Sequence, residues 1–367
     1  MRKLFYLIYC CLLMNCNLNN DSLDKDSLDN HIEIIEDTLL LPGIVSSKTA
    51  YFDDGKIYYQ AMDEQGQESF KCLSLTNKQL LWSKSINHMG INKGAITSTR
   101  EYVAPTLSDS VYLIDTTGNV RILNLEDRCK INPLVYKNTF ILQDRGVGLK
   151  CFDAKTLQQQ WFIPQKKGGA TMSQPLLIDS SIIYILDDEY LQSSDAKNGK
   201  LNWSVRIEDS LSIQILYGMY NNLVFVLGTD LEKSHFITAF DKFTGNQIWK
   251  EKVDSTIEVW QTSMVVANEK LFCRGDHSIF VYAVENGSKL KTYNYKSRIG
   301  TNLIVNKNGD VLFGLNNDTL MKINKRDNDF PIFISKEGIG YLYSYKGGSF
   351  FYSYPNLYSL KTGHVPL

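Results

Sequence analysis

Three short clusters in this chain combine residue types that could do chemistry. Asp187-Asp188-Glu189 brings three carboxylates together, the kind of set that ligates a cation or divides general acid and base roles. Arg274, Asp276 and His277 put a cation, an anion and a titratable imidazole within four positions. Asp144-Arg145 pairs opposite charges. Each cluster falls between two short apolar or alternating runs, where a charged hairpin turn is the plainer reading. The other histidines, His31, His88, His235 and His364, are scattered, and no H-E-x-x-H, G-x-S-x-G, P-loop or G-x-G-x-x-G occurs. The turns therefore read as solvated surface, and no catalytic or metal-binding residue is expected.

Turns of this kind need a scaffold, and the scaffold is visible as a repeated phrase. Asp241-Lys242-Phe243-Thr244-Gly245 precedes Trp249, and Asp195-Ala196-Lys197-Asn198-Gly199 precedes Trp203. Asp153-Ala154-Lys155-Thr156 precedes Trp161, and Ser74-Leu75-Thr76-Asn77 precedes Trp82. Weaker copies start near positions 124, 283, 324 and 359, the last containing Thr362-Gly363, and Ile332 and Leu367 stand in for Trp in the final two. The mean spacing is about 41 residues, in the range of propeller repeats. Short alternating runs and turns fill each interval, so each unit reads as a four-stranded antiparallel meander. The expected fold is an all-β, eight-bladed β-propeller; the second unit is weakly marked, which leaves seven blades as the alternative.

The last unit ends at Leu367, before its outer strand. An open sheet edge is a liability, and the run Ile32 to Leu41 offers a spare strand to close the last blade. The Trp rings are expected to pack against the neighbouring blade, with the turn glycines supplying positive φ. In such a ring the turns between the second and third strands share one face. They include Asp144-Arg145, Asp187 to Glu189, Asp230 to Lys233, Arg274 to His277 and Asn316 to Asp318. Loops on a rigid scaffold often carry function, so this face is the candidate partner-binding surface. Trp260, outside the repeated phrase, is a further candidate contact in a between-blade loop.

The N-terminus has its own grammar. Arg2-Lys3 is followed by the uncharged, mostly apolar run Leu4 to Met14, about half of what a membrane-spanning helix needs. Residues 1–15 therefore read as a signal peptide. Leu13-Met14-Asn15-Cys16 resembles a bacterial lipobox, with Asn15 where Gly, Ala or Ser is usual, and makes Cys16 the expected lipid attachment site. Residues 16–30 are polar and acidic and read as a flexible tether, and 31–367 as the propeller. Loss of Arg2 and Lys3 with the signal moves the net charge from −1 to −3. Without a basic block, nucleic acid is not an expected partner. Cys72, Cys129, Cys151 and Cys273 show no metal-ligand spacing and read as small buried side chains on strands.

The Asp/Ala-x-x-Thr-Gly-x-x-x-Trp character of the phrase resembles the repeat of the PQQ-like (quinoprotein alcohol dehydrogenase-like) β-propeller superfamily, over about residues 31–367. One branch of that superfamily holds pyrroloquinoline quinone on the propeller axis. This chain lacks the vicinal cysteine pair that many of those enzymes place beside the cofactor, since its own pair, Cys10-Cys11, falls in the signal. The lipobox, tether and length are similar to the non-catalytic lipoprotein branch of BamB type. That resemblance implies a scaffold anchored in the bacterial envelope through its lipid; the alternatives are an envelope glycan- or ligand-binding module and a PQQ-dependent oxidoreductase. It implies a monomer without cofactor, at the outer membrane, whose partners are envelope proteins such as barrel-assembly components.

Overall fold

The computed structural model describes residues 31–364 except 42–49, 54, 86–94, 99–101, 108–109, 116–118, 126–132, 145–146, 166–172, 188, 208–210, 231, 259–262, 317, 336–337, 346–347 and 354–355. The unit Glu33–Lys361 is built of strands in four-stranded antiparallel sheets. The chain begins with β1 (His31–Leu40). Blade one follows as β2 (Tyr51–Asp53), β3 (Lys56–Met62), β4 (Glu68–Ser74) and β5 (Leu80–Ser85). Blade two is β6 (Ala95–Ser98), β7 (Tyr102–Leu107), β8 (Ser110–Asp115) and β9 (Val120–Asn124). Blade three is β10 (Leu134–Tyr136), β11 (Thr139–Asp144), β12 (Gly148–Asp153) and β13 (Gln159–Pro164). Blade four is β14 (Leu176–Ile178), β15 (Ser181–Leu186), β16 (Tyr190–Asp195) and β17 (Leu201–Arg206). Blade five is β18 (Leu211–Tyr220), β19 (Leu223–Asp230), β20 (His235–Asp241) and β21 (Gln247–Val253). Blade six is β22 (Met264–Ala267), β23 (Lys270–Arg274), β24 (Ser278–Ala283) and β25 (Lys289–Asn294). Blade seven is β26 (Ile304–Val305), β27 (Val311–Leu315), β28 (Thr319–Ile323) and β29 (Asp329–Ile334). Blade eight takes β30 (Tyr341–Tyr345), β31 (Gly348–Ser353) and β32 (Asn356–His364) from the end of the chain and β1 from its beginning, in the order β30-β31-β32-β1.

The burial patterns follow from stacking blades face to face. Second strands are covered on both sides and read as continuous apolar runs, as in β15 (Ser-Ile-Ile-Tyr-Ile-Leu), where five consecutive residues are buried. Outer strands are covered on one side only and alternate, as in β17 and β5. Among the described residues, eight apolar clusters join the eight blades in sequence. Trp249, Phe225 and Leu227 of blade five meet Leu271, Phe280 and Tyr282 of blade six, for example. The cluster that closes the ring sets Leu39, Leu41, Tyr343 and Leu357 against Phe52, Ile57 and Tyr59 of blade one. The N-terminal strand thus completes the last blade.

The repeated phrase fixes how one blade grips the next. The Trp161 indole N–H donates to Ala196 O at 3.2 Å, that of Trp203 to Lys242 O at 3.1 Å, and that of Trp249 to Val284 O at 2.9 Å. Each acceptor is the second residue of the following blade's motif turn. On that same turn a glycine lies over the ring: a Cβ at Gly199 would stand 3.0 Å from Trp161, and one at Gly245 2.6 Å from Trp203. Both glycines have positive φ, 71° and 73°. Trp82 packs with Tyr58 and Phe70 beside Ile114 of blade two. Cys72, Cys151 and Cys273 are free and buried. Burial pushes the Cys72 and Cys151 thiols up to about 11.

The structure corrects two expectations. The motif turn of the second blade lies between Asp115 and Asn119, and Val120–Asn124 is its outer strand; Asn124 does not start the turn. The turn is closed by Asp115 N–H to Asn119 O, whereas the fourth blade closes Asp195 N–H on Lys200 O. Blade two also lacks the bulge that interrupts the register between Ser193 and Ser194 in blade four. One residue fewer in the turn and one fewer in the strand move the Trp position two places, onto Arg121 opposite Leu113. Second, Gly363 belongs to β32, which runs through to His364, and not to a turn. The outer partner of β32 comes from the other end of the chain, so no hairpin is needed there. Cys129 and Leu367 lie outside the described residues.

Candidate functional site

The hairpins between second and third strands, and the connections from each outer strand to the next inner strand, share one side of each blade. The pairing Asp144↔Gly148 places Asp144 at the start of such a hairpin in blade three. Leu186↔Tyr190 does so for Asp187 and Glu189 in blade four, and Arg274↔Ile279 for Asp276 and His277 in blade six. Arg145 and Asp188, like Trp260 and Cys16, lie outside the described residues. Asp187 adopts a φ of 56°, which the tight turn demands and an acidic side chain tolerates better than most. Glu189 is exposed and stands 3.8 Å from Arg206 at the end of its blade's outer strand, a solvated pair of little energetic weight.

Arg274 behaves differently. It ends β23, and its side chain is 12% exposed. Its guanidinium donates to the Glu258 carboxylate and to the Thr301 carbonyl. Glu258 belongs to the connection from blade five to blade six, and Thr301 to the connection from blade six to blade seven. Arg274 therefore pins two successive connections to one hairpin. The Glu258 end is held further by its own N–H on Arg274 O at 2.9 Å. Its carbonyl accepts from the Tyr217 and Ser263 hydroxyls at 2.7 and 2.6 Å. Burial, and then the nearby Arg298, pull the Arg274 guanidinium below its usual range. Thr301 Oγ1 accepts Gly314 N–H at 2.7 Å, and Asn302 exchanges two hydrogen bonds of 2.9 Å with Leu342 of the last blade's inner strand.

Beside this buried clamp lies an exposed charged rim. Arg298 Nε donates to Asp276 Oδ1, and His277 Nε2 stands 3.4 Å from Asp276 Oδ2. All three side chains are at least half exposed. In the neighbouring blade His235 is 8% exposed, and burial lowers its pKa. The structure thus unites Arg274, Asp276 and His277 but leaves the blade-three and blade-four turns in their own hairpins. Glu258, Thr301, Tyr217 and Arg298 were not legible as members of the site. Glu258 meets Arg274 across a separation of 16 residues, between two blades, and no local spacing announces such a pair. Among the described residues, no group of three or more His, Cys, Asp or Glu side chains is placed to hold a metal ion.

A family model described as outer membrane protein assembly factor BamB matches residues 187–313, from the charged turn of blade four to the second strand of blade seven. The crystal structure of BamB from Moraxella catarrhalis superimposes with a TM-score of 0.69 and 11% identity, covering 90% of this chain and 100% of that one. A europium-containing methanol dehydrogenase gives 0.64 at 10% identity, over 87% and 84% of the two chains. The computationally designed Ika8 protein gives 0.60 at 15% identity, over 88% and 98%. No curated protein sequence matches. Ring, interlocking Trp turns and matched blades together make this chain a β-propeller that resembles BamB and the PQQ-like propellers.

Proposed function

We propose that the protein is a non-catalytic, membrane-anchored propeller that scaffolds protein interactions in the bacterial envelope, in the manner of a BamB-like assembly factor. It works without a bound cofactor and carries its lipid on Cys16. Its docking surface is the face of the charged hairpins, centred on the exposed Asp276–Arg298–His277 rim and the Glu189–Arg206 pair. The observation that carries this reading is that the BamB family match, residues 187–313, contains every one of those residues and the Arg274–Glu258 clamp beneath them. A clamp that fixes two interblade connections to one hairpin gives the rim a rigid backing, which lowers the ordering cost of binding.

Affinity purification of the tagged protein from solubilised envelope tests the reading. Barrel-assembly components are expected among the recovered chains. Their absence, with retention of the protein on an envelope glycan instead, would favour a ligand-binding module and overturn the scaffold.

A further inference from the structure

The opposite face carries chemistry that the scaffold reading does not use. The motif turns and the hairpins between first and second strands emerge there, and they are rich in lysine. Lys78, Lys155, Lys197, Lys200, Lys325 and Arg326 are exposed in the motif turns of blades one, three, four and seven. Lys137 and Lys307 are exposed in first hairpins. Acidic side chains on these turns keep their charge but are largely drawn in against the backbone. Asp153 Oδ1 accepts the N–H groups of Lys155 and Thr156 at 2.9 and 2.7 Å, and Asp241 Oδ1 accepts those of Phe243 and Thr244 at 3.0 and 2.8 Å. Asp310 is buried. Among the described residues of this face, counting the first positions of the outer strands, Asp179, Glu269, Glu285 and Asp329 are the exposed acids.

Apolar side chains ring the lysines. Phe243 is 63% exposed at the tip of a motif turn, with Lys242 Nζ 4.8 Å from its ring centroid. Leu80, Val120, Leu201, Ile248 and Leu290 are exposed at the first or second positions of their outer strands, where the chain leaves the motif turns. Lysines beside exposed leucine and phenylalanine suit the headgroup boundary of an anionic bilayer, which takes positive charge and shallow apolar contact together. A nucleic acid or an acidic protein would use the charge and leave the apolar rim in water.

The direction of β1 adds an independent argument. Like the other outer strands it leads into the next inner strand, and its last residues are buried with Phe52 and Ile57 of blade one. Within the unit Glu33–Lys361 its N-terminal end, at Glu33, is therefore at the motif-turn end of blade eight. We infer that the motif-turn face lies against an anionic phospholipid surface and turns the Asp276–Arg298 rim away from it. The orientation rests on the anchored reading; the lipid affinity of the face does not.

The test uses residues 16–367 carrying Cys16→Ser, so that no acyl chain contributes. Co-sedimentation is measured with vesicles of phosphatidylcholine alone and of phosphatidylcholine with phosphatidylglycerol. Binding to the anionic vesicles is expected to exceed that to neutral ones by about tenfold and to fall as salt is added. The triple variant Lys155→Gln, Lys197→Gln, Lys325→Gln should lose the preference while keeping its melting temperature. Lys233→Gln with Lys296→Gln, on the other face, should retain it. Equal recovery on both vesicles, equal loss in the two variants, or equally strong binding to a DNA oligonucleotide would overturn the inference. Palmitate labelling of Cys16 tests the anchor separately, so the two can fail independently.

Discussion

Gly245 answers to two neighbours at once. Its φ of 73° closes its own turn, and its bare Cα lets Trp203 of the preceding blade lie where a Cβ would come within 2.6 Å of the ring. Gly245→Ala should cost about 2–4 kcal/mol by urea unfolding, combining left-handed strain with overpacking. In a Trp203→Ala background the steric part should vanish, so the double-mutant cycle reports a favourable coupling. The pattern of replacements makes the same point. Where the preceding blade carries Arg121 in place of Trp, the turn position is Leu157, held at a φ of 61° with no ring to clear. The Trp and Gly residues were legible from spacing alone, but Arg121 was not, because the ruler that found them assumes a fixed distance from the turn. Asp153 supplies a pH-dependent term. The N–H of Thr156, with the Thr156 hydroxyl and Lys155 N–H, holds its carboxyl below the usual range despite some burial. A depressed carboxyl contributes stability that is present above the unfolded pKa of about 3.9 and is lost as pH falls through the folded value. Asp153→Asn should therefore be less stable at neutral pH, with the difference from wild type closing in the acid limb below about pH 4.

At the level of elements, β9 shows how a blade keeps its grip without Trp. The Arg121 guanidinium donates to Ala154 O at 2.8 Å and to Lys155 O, reaching the same turn that an indole N–H would reach. In β25 a similar task falls to Lys291 and Tyr293, whose Nζ and hydroxyl donate to Asp327 O at 2.7 and 2.9 Å. The shared function is to satisfy a turn carbonyl across the blade boundary, and three chemistries meet it. Arg121→Ala should lower unfolding stability by about 1.5–3 kcal/mol, and Arg121→Lys should recover only part, since an ammonium lacks the planar fork. The strand count and the role of β1 were readable because edge protection is a general demand on sheets. The turn of blade two was not, because losing one turn residue and one bulge residue shifts a strand without changing its apolar pattern.

The propeller unit has two unlike faces on one ring. The hairpin face was foreseeable, since a meander sends alternate turns to opposite sides. Its internal division was not. Arg274 looked like a surface charge in a turn and is instead a buried clamp, so its replacement would disturb two connections before it reported on any partner. Arg298, Asp276 and Glu189 are exposed and carry no such burden. They are the residues through which docking is best interrogated. The most direct test of the scaffold is envelope affinity purification with wild type, with Arg298→Glu plus Glu189→Arg, and with the lysine-face variant, each confirmed as folded. Barrel-assembly components are expected to co-purify with wild type and with the lysine-face variant and to be lost from the hairpin-face variant. Unchanged recovery in the hairpin-face variant, or no such components with wild type, would contradict the scaffold.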